Sequence, residues 1–310
     1  MKKTFITLLS FLLIAFSASA QLLYKVTGGG LTKPSYIMGT YHMAKLSFVD
    51  SVPGLRKAMA DCEQVYGELD MSQVANNPAV AMQMQQAMML PQGETLDNYI
   101  NAEQMTRLNA FLTQYMGADL NNPAMAQVKQ MKPAALNTTL QVMLIIKEEG
   151  GFNPQEQFDT YFQQEAQKQN KFVGGFETLD YQMNVLYGAT PQRQAEQLMC
   201  LVDNVDYNLS IAKRTIQAYY AQDMKAIEKL NDEKLHNSCD ATPAEEDALI
   251  YTRNANWAKA LPAIMKAKST LVAVGCLHLP TERGLLQLLR NAGYQVEPVN
   301  KISLYNHVQN

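Results

Sequence analysis

Only one tryptophan, four histidines and four cysteines occur among 310 residues, so chemistry that depends on these side chains has few places to sit. Several familiar arrangements are missing altogether. There is no Gly-X-Ser-X-Gly elbow for a hydrolase serine, no His-Glu-X-X-His pair for zinc, no phosphate loop and no Rossmann glycine fingerprint. A strong charge of one sign is lacking too. The net charge of −3 offers no field that would gather nucleic acid or an anionic membrane. The expected partner is instead a peptide or small-molecule substrate, recognised by local contacts. Beyond the first residues no apolar run approaches the roughly 20 residues that span a bilayer.

What is present begins with a leader-like segment. Lys2 and Lys3 precede an apolar run from Phe5 to Phe16, and Ala18-Ser19-Ala20 before Gln21 has the small-residue pattern of a cleavage site. Residues 1–20 therefore read as a secretory signal cut after Ala20, leaving residues 21–310 as a single secreted or periplasmic domain without a transmembrane anchor. Loss of the two lysines takes the net charge to −5. No cysteine follows the cut, which argues against a lipid anchor there. An oxidising compartment permits disulfides, and four cysteines allow three pairings. Cys200 with Cys239 is the expected one, since both lie in the helical middle and a bridge would clamp its two arms. Cys276 then reads as a packing residue before a reactive thiol.

The ends of the chain resemble each other. Leu22 to Val26 and Tyr36 to Met38 are strand-like, Gly39-Thr40-Tyr41-His42 follows, Val52 to Asp61 is helical with Pro53 suited to its first turn, and Val65 to Leu69 is strand again. Thr270 to Val274, Gly275-Cys276-Leu277-His278, a helix over Glu282 to Arg290 closed by Gly293, and a strand over Tyr294 to Val299 repeat that order. Between them, residues 71–268 read as a helical insertion interrupted by one strand, Lys171 to Phe176. Pro191 to Ala221 has the pattern of one long helix, and Thr190-Pro191 and Thr242-Pro243-Ala244-Glu245 are capped helix starts. The fold class is thus α/β (α+β), a central mixed sheet made by the two terminal units with a large helical cap. Ten of the eighteen methionines fall between Met71 and Met143, which suits either an adaptable groove or helix core filler.

Two histidines in matched positions at strand ends point to a site on the carboxyl edge of the sheet, where open α/β sheets bind ligands. Gly39 and Gly275 would let another backbone or a ligand approach closely. Imidazoles with a carboxylate make an open metal site, so His42, His278 and Glu68 are the expected ligands of a divalent ion (Mn, Co or Zn). Glu68 ends the strand expected to neighbour the one feeding His42. Asp70 either shares its face or caps the following helix. Without metal, the same histidines and glutamate would serve as general acid and base. Glu177, after Gly174-Gly175-Phe176, is a candidate for proton transfer or a helix-start carboxylate. Arg253, beside Asn254 and Trp257, would orient substrate or hold Glu68 or Glu177 in place.

Taken in order, these motifs resemble the TraB/GumN family, to which the Tiki-type metalloproteases look related. The matching features are Tyr36 to His42, the Glu68 strand, Gly175-Phe176-Glu177-Thr178 with Gln182, Arg253-Asn254 with Trp257, and Val274 to Pro280 running into Gly284-Leu285-Leu286. The resemblance implies a core shared with erythromycin-esterase-like and ChaN-like proteins. It also implies a metal-dependent hydrolase, a peptidase by analogy with Tiki-type members, with a site from both Gly-X-X-His motifs and a glutamate. The alternative is a non-catalytic envelope protein that binds haem, another small ligand or a partner. One departure stands out. The family often has Pro-Gly after the second histidine where this chain has Pro280-Thr281, so the loop beside His278 is expected to be set differently.

Overall fold

The computed structural model describes residues 21–75, 77–150 and 157–300; the expected signal segment lies outside them. Six strands form one mixed sheet in the order β4-β3-β5-β2-β1-β6: β1 (Leu23–Gly28), β2 (Ser35–Thr40), β3 (Gln64–Gly67), β4 (Phe172–Gly175), β5 (Thr270–Gly275) and β6 (Tyr294–Pro298). Only β1 runs against the rest, pairing antiparallel with β2 and β6, while β2, β5, β3 and β4 are parallel. The central parallel strands β2 and β5 are apolar through their middles, as strands covered on both faces tend to be. Every residue of β2 is buried, as are Leu271 to Val274 of β5.

This topology corrects one expectation. β3, which delivers Glu68, does not neighbour β2, because β5 lies between them. The two histidine-bearing strands are adjacent, with Thr40 level with Gly275, and Glu68 flanks the pair instead of standing between them. Periodicity tells which residues face the core but not which strand inserts where, and β5 arrives from the far end of the chain.

Helices complete the layers. The Phe158–Lys168 helix buries Phe158 and Phe162 against β3, β4 and β5. The predicted single helix over 191–221 is two, Pro191–Asp203 and Val205–Tyr220, broken at Asn204, which sits at φ −128 and ψ 39. The break lets the first half pack into a separate helical core with Leu108, Leu112, Leu136 and Leu140, while the second turns Tyr219 back onto the sheet. Its hydroxyl donates to the Gly39 carbonyl at 3.0 Å. Pro53 precedes the helix it was expected to open, which starts at Leu55 behind Gly54 at φ 76.

The Cys200–Cys239 disulfide is formed across 39 residues. Closing a loop of that length in the unfolded chain is worth about 4 kcal/mol by loop entropy. Cys62 and Cys276 are free and buried, and burial pushes the Cys276 thiol up to about 12, which disfavours the thiolate that reacts.

Candidate functional site

Both Gly-X-X-His motifs open at the carboxyl ends of adjacent strands, and the glycines explain how closely they meet. A Cβ on Gly39 would fall 2.7 Å from Leu279 Cδ1 and 3.1 Å from the Cys276 backbone, so the second motif packs straight onto the first. Gly275 does something different. Its N–H donates to Glu68 Oε1 at 3.0 Å, and a Cβ there would crowd the same oxygen at 3.3 Å.

His278 is buried, with 4% of its side chain exposed. Asn254 donates its amide to the Arg283 carbonyl at 3.0 Å, which turns Oδ1 toward His278 Nδ1 at 2.7 Å. An acceptor there fixes the proton on Nδ1. Nε2 is left to accept from Arg253 Nη1 at 3.2 Å. Burial first, and then the adjacent guanidinium, pushes His278 down to about 4 against the pull of Glu68. Trp257 lies over the ring, with centroids 4.4 Å apart.

Arg253 is the hub. It grips Glu177 through Nε and Nη2 at 2.7 and 2.9 Å, and Nη2 also donates to Glu68 Oε2 at 2.6 Å. Its remaining arm reaches the Leu249 carbonyl at 3.0 Å. Glu177 further accepts from Trp257 Nε1 and Gln182, and Gln182 also donates to Glu68. All of the Glu177 oxygen capacity is thus spent inside the network, which makes it a positioning carboxylate. Glu68 keeps 18% of its side chain exposed. Burial opposes its charge, but His278 and Arg253 nearby and the Gly275 N–H outweigh that and hold it below the ordinary carboxylate range.

The other half of the site contains a residue that sequence reasoning missed. Asp159, in the first turn of the Phe158–Lys168 helix, receives Thr40 Oγ1 on one oxygen and His42 Nδ1 on the other, the latter at 2.6 Å. His42 therefore presents Nε2 outward, with 76% of its side chain exposed. The charge and hydrogen bond of Asp159 push His42 up to about 9. Water tempers an exposed pair, yet the imidazole still carries its proton at neutral pH. An acid at a helix start after an apolar residue reads as ordinary dipole compensation. The nearest signal was Thr40, a hydroxyl on a fully buried strand with no obvious partner.

Asp70 resolves toward the capping role. β3 ends at Gly67, and Asp70 Oδ1 accepts from the Ser72 backbone N–H and hydroxyl at the start of the Met71–Ala75 helix. Thr281, in the loop after His278, sits at φ +74, a left-handed conformation that is a strained choice for a β-branched residue.

For a divalent ion the donor types are right, and both imidazoles have the locked Nδ1 that metal ligands show. The arrangement is not right. His278 Nε2 and Glu68 Oε2 both face the Arg253 guanidinium, whose permanent positive charge stands where a second cation would have to approach. As arranged, these residues do not fit the ion. Among the described residues no group of three His, Cys, Asp or Glu side chains is placed to hold a metal. No curated protein and no solved structure matches the chain. A family model, described as TraB/PrgY/gumN, matches residues 22–298.

Proposed function

Since the chain belongs to the TraB/PrgY/gumN family, we propose that it is an exported hydrolase of peptide bonds in which His42 and Glu68 handle the protons. The observation that carries this reading is geometric. His42, anchored by Asp159, offers Nε2 to solvent on the same sheet edge where Glu68 is held with one oxygen that, among the described residues, accepts only a backbone N–H. Their strands are separated by β5 alone, a backbone distance of about 10 Å that leaves room for a scissile amide and a water. Glu68, kept ionised, takes a proton from the water as its oxygen attacks the carbonyl carbon. His42, kept protonated, gives its Nε2 proton to the amine as the C–N bond breaks. Arg253, Glu177, Gln182, Asn254 and His278 hold Glu68 in place. Export is supported by the leader-like residues 1–20 and by the disulfide.

Digestion of a peptide library by residues 21–310 tests the reading. Cleavage lost in both His42→Gln and Glu68→Gln supports it, and cleavage unaffected by either overturns it. Metal dependence, with Mn, Co or Zn on His42, Glu68 and His278, is the second reading. It is favoured by the locked tautomers of both imidazoles and requires Arg253 to withdraw. Calorimetric titration with each metal decides it: stoichiometric binding abolished by His42→Ala would establish a metal site.

A further inference from the structure

β4 is an edge strand. Among the described residues it pairs only with β3. The Phe176 N–H donates to the Gly67 carbonyl, and in a parallel ladder that fixes the alternation: Phe172 and Gly174 turn their backbone groups toward β3, while Val173 and Gly175 turn theirs outward. A row of outward donors and acceptors is a template for another strand.

Beside this edge lies an open groove of about 490 Å³, walled by Val74 and Val80 of the neighbouring helices on one side and by β4 on the other. A volume of that order holds a few residues of a ligand. Aromatic side chains serve one face. Phe172 is 52% exposed, and the Tyr66 ring lies where a Gly174 side chain would otherwise be, 5.9 Å from Phe172 and 5.4 Å from Phe176. Asp70, Glu177 and Asp180 line the groove, and among the described residues no lysine or arginine does. Asp180 is exposed and accepts from Gln83 and, among the described residues, has no cationic partner, whereas Glu177 belongs to the Arg253 network. The groove therefore has a negative wall and ends at the residues that hold Glu68.

We propose that the open edge of β4 is the docking surface for the substrate: an extended peptide carrying a basic side chain adds to Val173 and Gly175 as a further strand, its basic group facing Asp180. This rests on the peptide-hydrolase reading above and supplies the substrate class that reading leaves open. Main-chain hydrogen bonds give the affinity in this mode, and alternate side-chain pockets give the selectivity. From a strand docked on β4 to β5, which lies between the strands that carry Glu68 and His42, there are three strand spacings, about 14 Å, or about four residues of extended chain. The bond cut would lie about that far from the docked segment.

The test measures binding apart from cleavage. A fluorescein-labelled octapeptide of alternating valine and threonine with one central lysine is titrated into the His42→Gln protein and followed by anisotropy. The docking reading expects binding that weakens about tenfold or more when glutamate replaces the lysine, and likewise when alternate amides facing the edge are N-methylated. Asp180→Lys should reverse the charge preference. Affinity indifferent to N-methylation in both registers, or indifferent to the charge swap, overturns the proposal. Because N-methylation changes only the peptide, folding of a variant cannot confuse the result. Binding with the expected pattern but no cleavage by the unaltered protein would sink the hydrolase reading and leave the docking surface standing; cleavage without dependence on N-methylation or charge would do the reverse.

Discussion

The two Gly-X-X-His tetrapeptides start alike, at the ends of adjacent strands, and finish in opposite environments. His42 leaves 76% of its side chain in water and leans on a carboxylate; His278 leaves 4% and leans on an amide, with a guanidinium against its other nitrogen. One environment raises the imidazole's proton affinity and the other lowers it. A repeated motif therefore supplies not two equal ligands but one titrating group and one neutral strut. The difference is set by what each Nδ1 meets: Asp159 from a helix of the insertion in one case, Asn254 from the helix leading into β5 in the other.

The largest effect should come from the centre of the buried half. Arg253→Met strands Glu68 and Glu177 without their cation, and breaking a buried pair costs about 3–5 kcal/mol, which urea denaturation would read directly. An unchanged midpoint would mean that the buried half is not held by this network. In the exposed half the expectation reverses. His42→Gln should lower peptide hydrolysis by about 10²- to 10⁴-fold while the urea midpoint barely moves. If both variants lose stability equally, the contrast between the halves is wrong.

The pH profile sharpens the comparison further. His278 has its folded value depressed to about 4 from an unfolded 6.5, so its contribution is fully present above pH 6.5 and is lost as pH falls through 4, by roughly 3 kcal/mol. His278→Gln should flatten that acid limb. His42 has its folded value raised to about 9, so whatever it contributes is present below pH 6.5 and lost as pH rises through 9, and kcat/KM should fall over the same alkaline range. The smallest expected effect lies in the loop after His278. Thr281→Gly relieves a positive φ and should raise stability by about 1 kcal/mol, visible as a Tm increase of a few degrees.

Much of this site was legible before folding. Glycine at a strand end signals close approach, and at Gly39 and Gly275 the approach is that of Cys276 and of Glu68. Arg253 was read as a holder of Glu68 or Glu177 and holds both. Cys200 and Cys239 pair as expected. Asp159 escaped notice because a carboxylate in a first helical turn has a sufficient local explanation, and nothing in its neighbourhood in the sequence indicates His42, 117 positions away. Asn204 escaped because the periodicity of two consecutive helices continues across a break made by tertiary packing.

The sequence by itself determined the strands and the sheet edge at which both Gly-X-X-His motifs open, since hydrophobic period and glycine placement are local properties. It also determined the family, through motifs spread over nearly the whole of residues 22–298. Only the tertiary structure decided that β5 enters between β2 and β3, that Arg253 rather than an added cation meets Glu68 and His278, and that Asp159 arrives at His42. Those decisions depend on which distant helix covers which strand end. Burial and hydrogen-bond partners set the protonation of an imidazole, and two tetrapeptides of one Gly-X-X-His pattern carry no record of either.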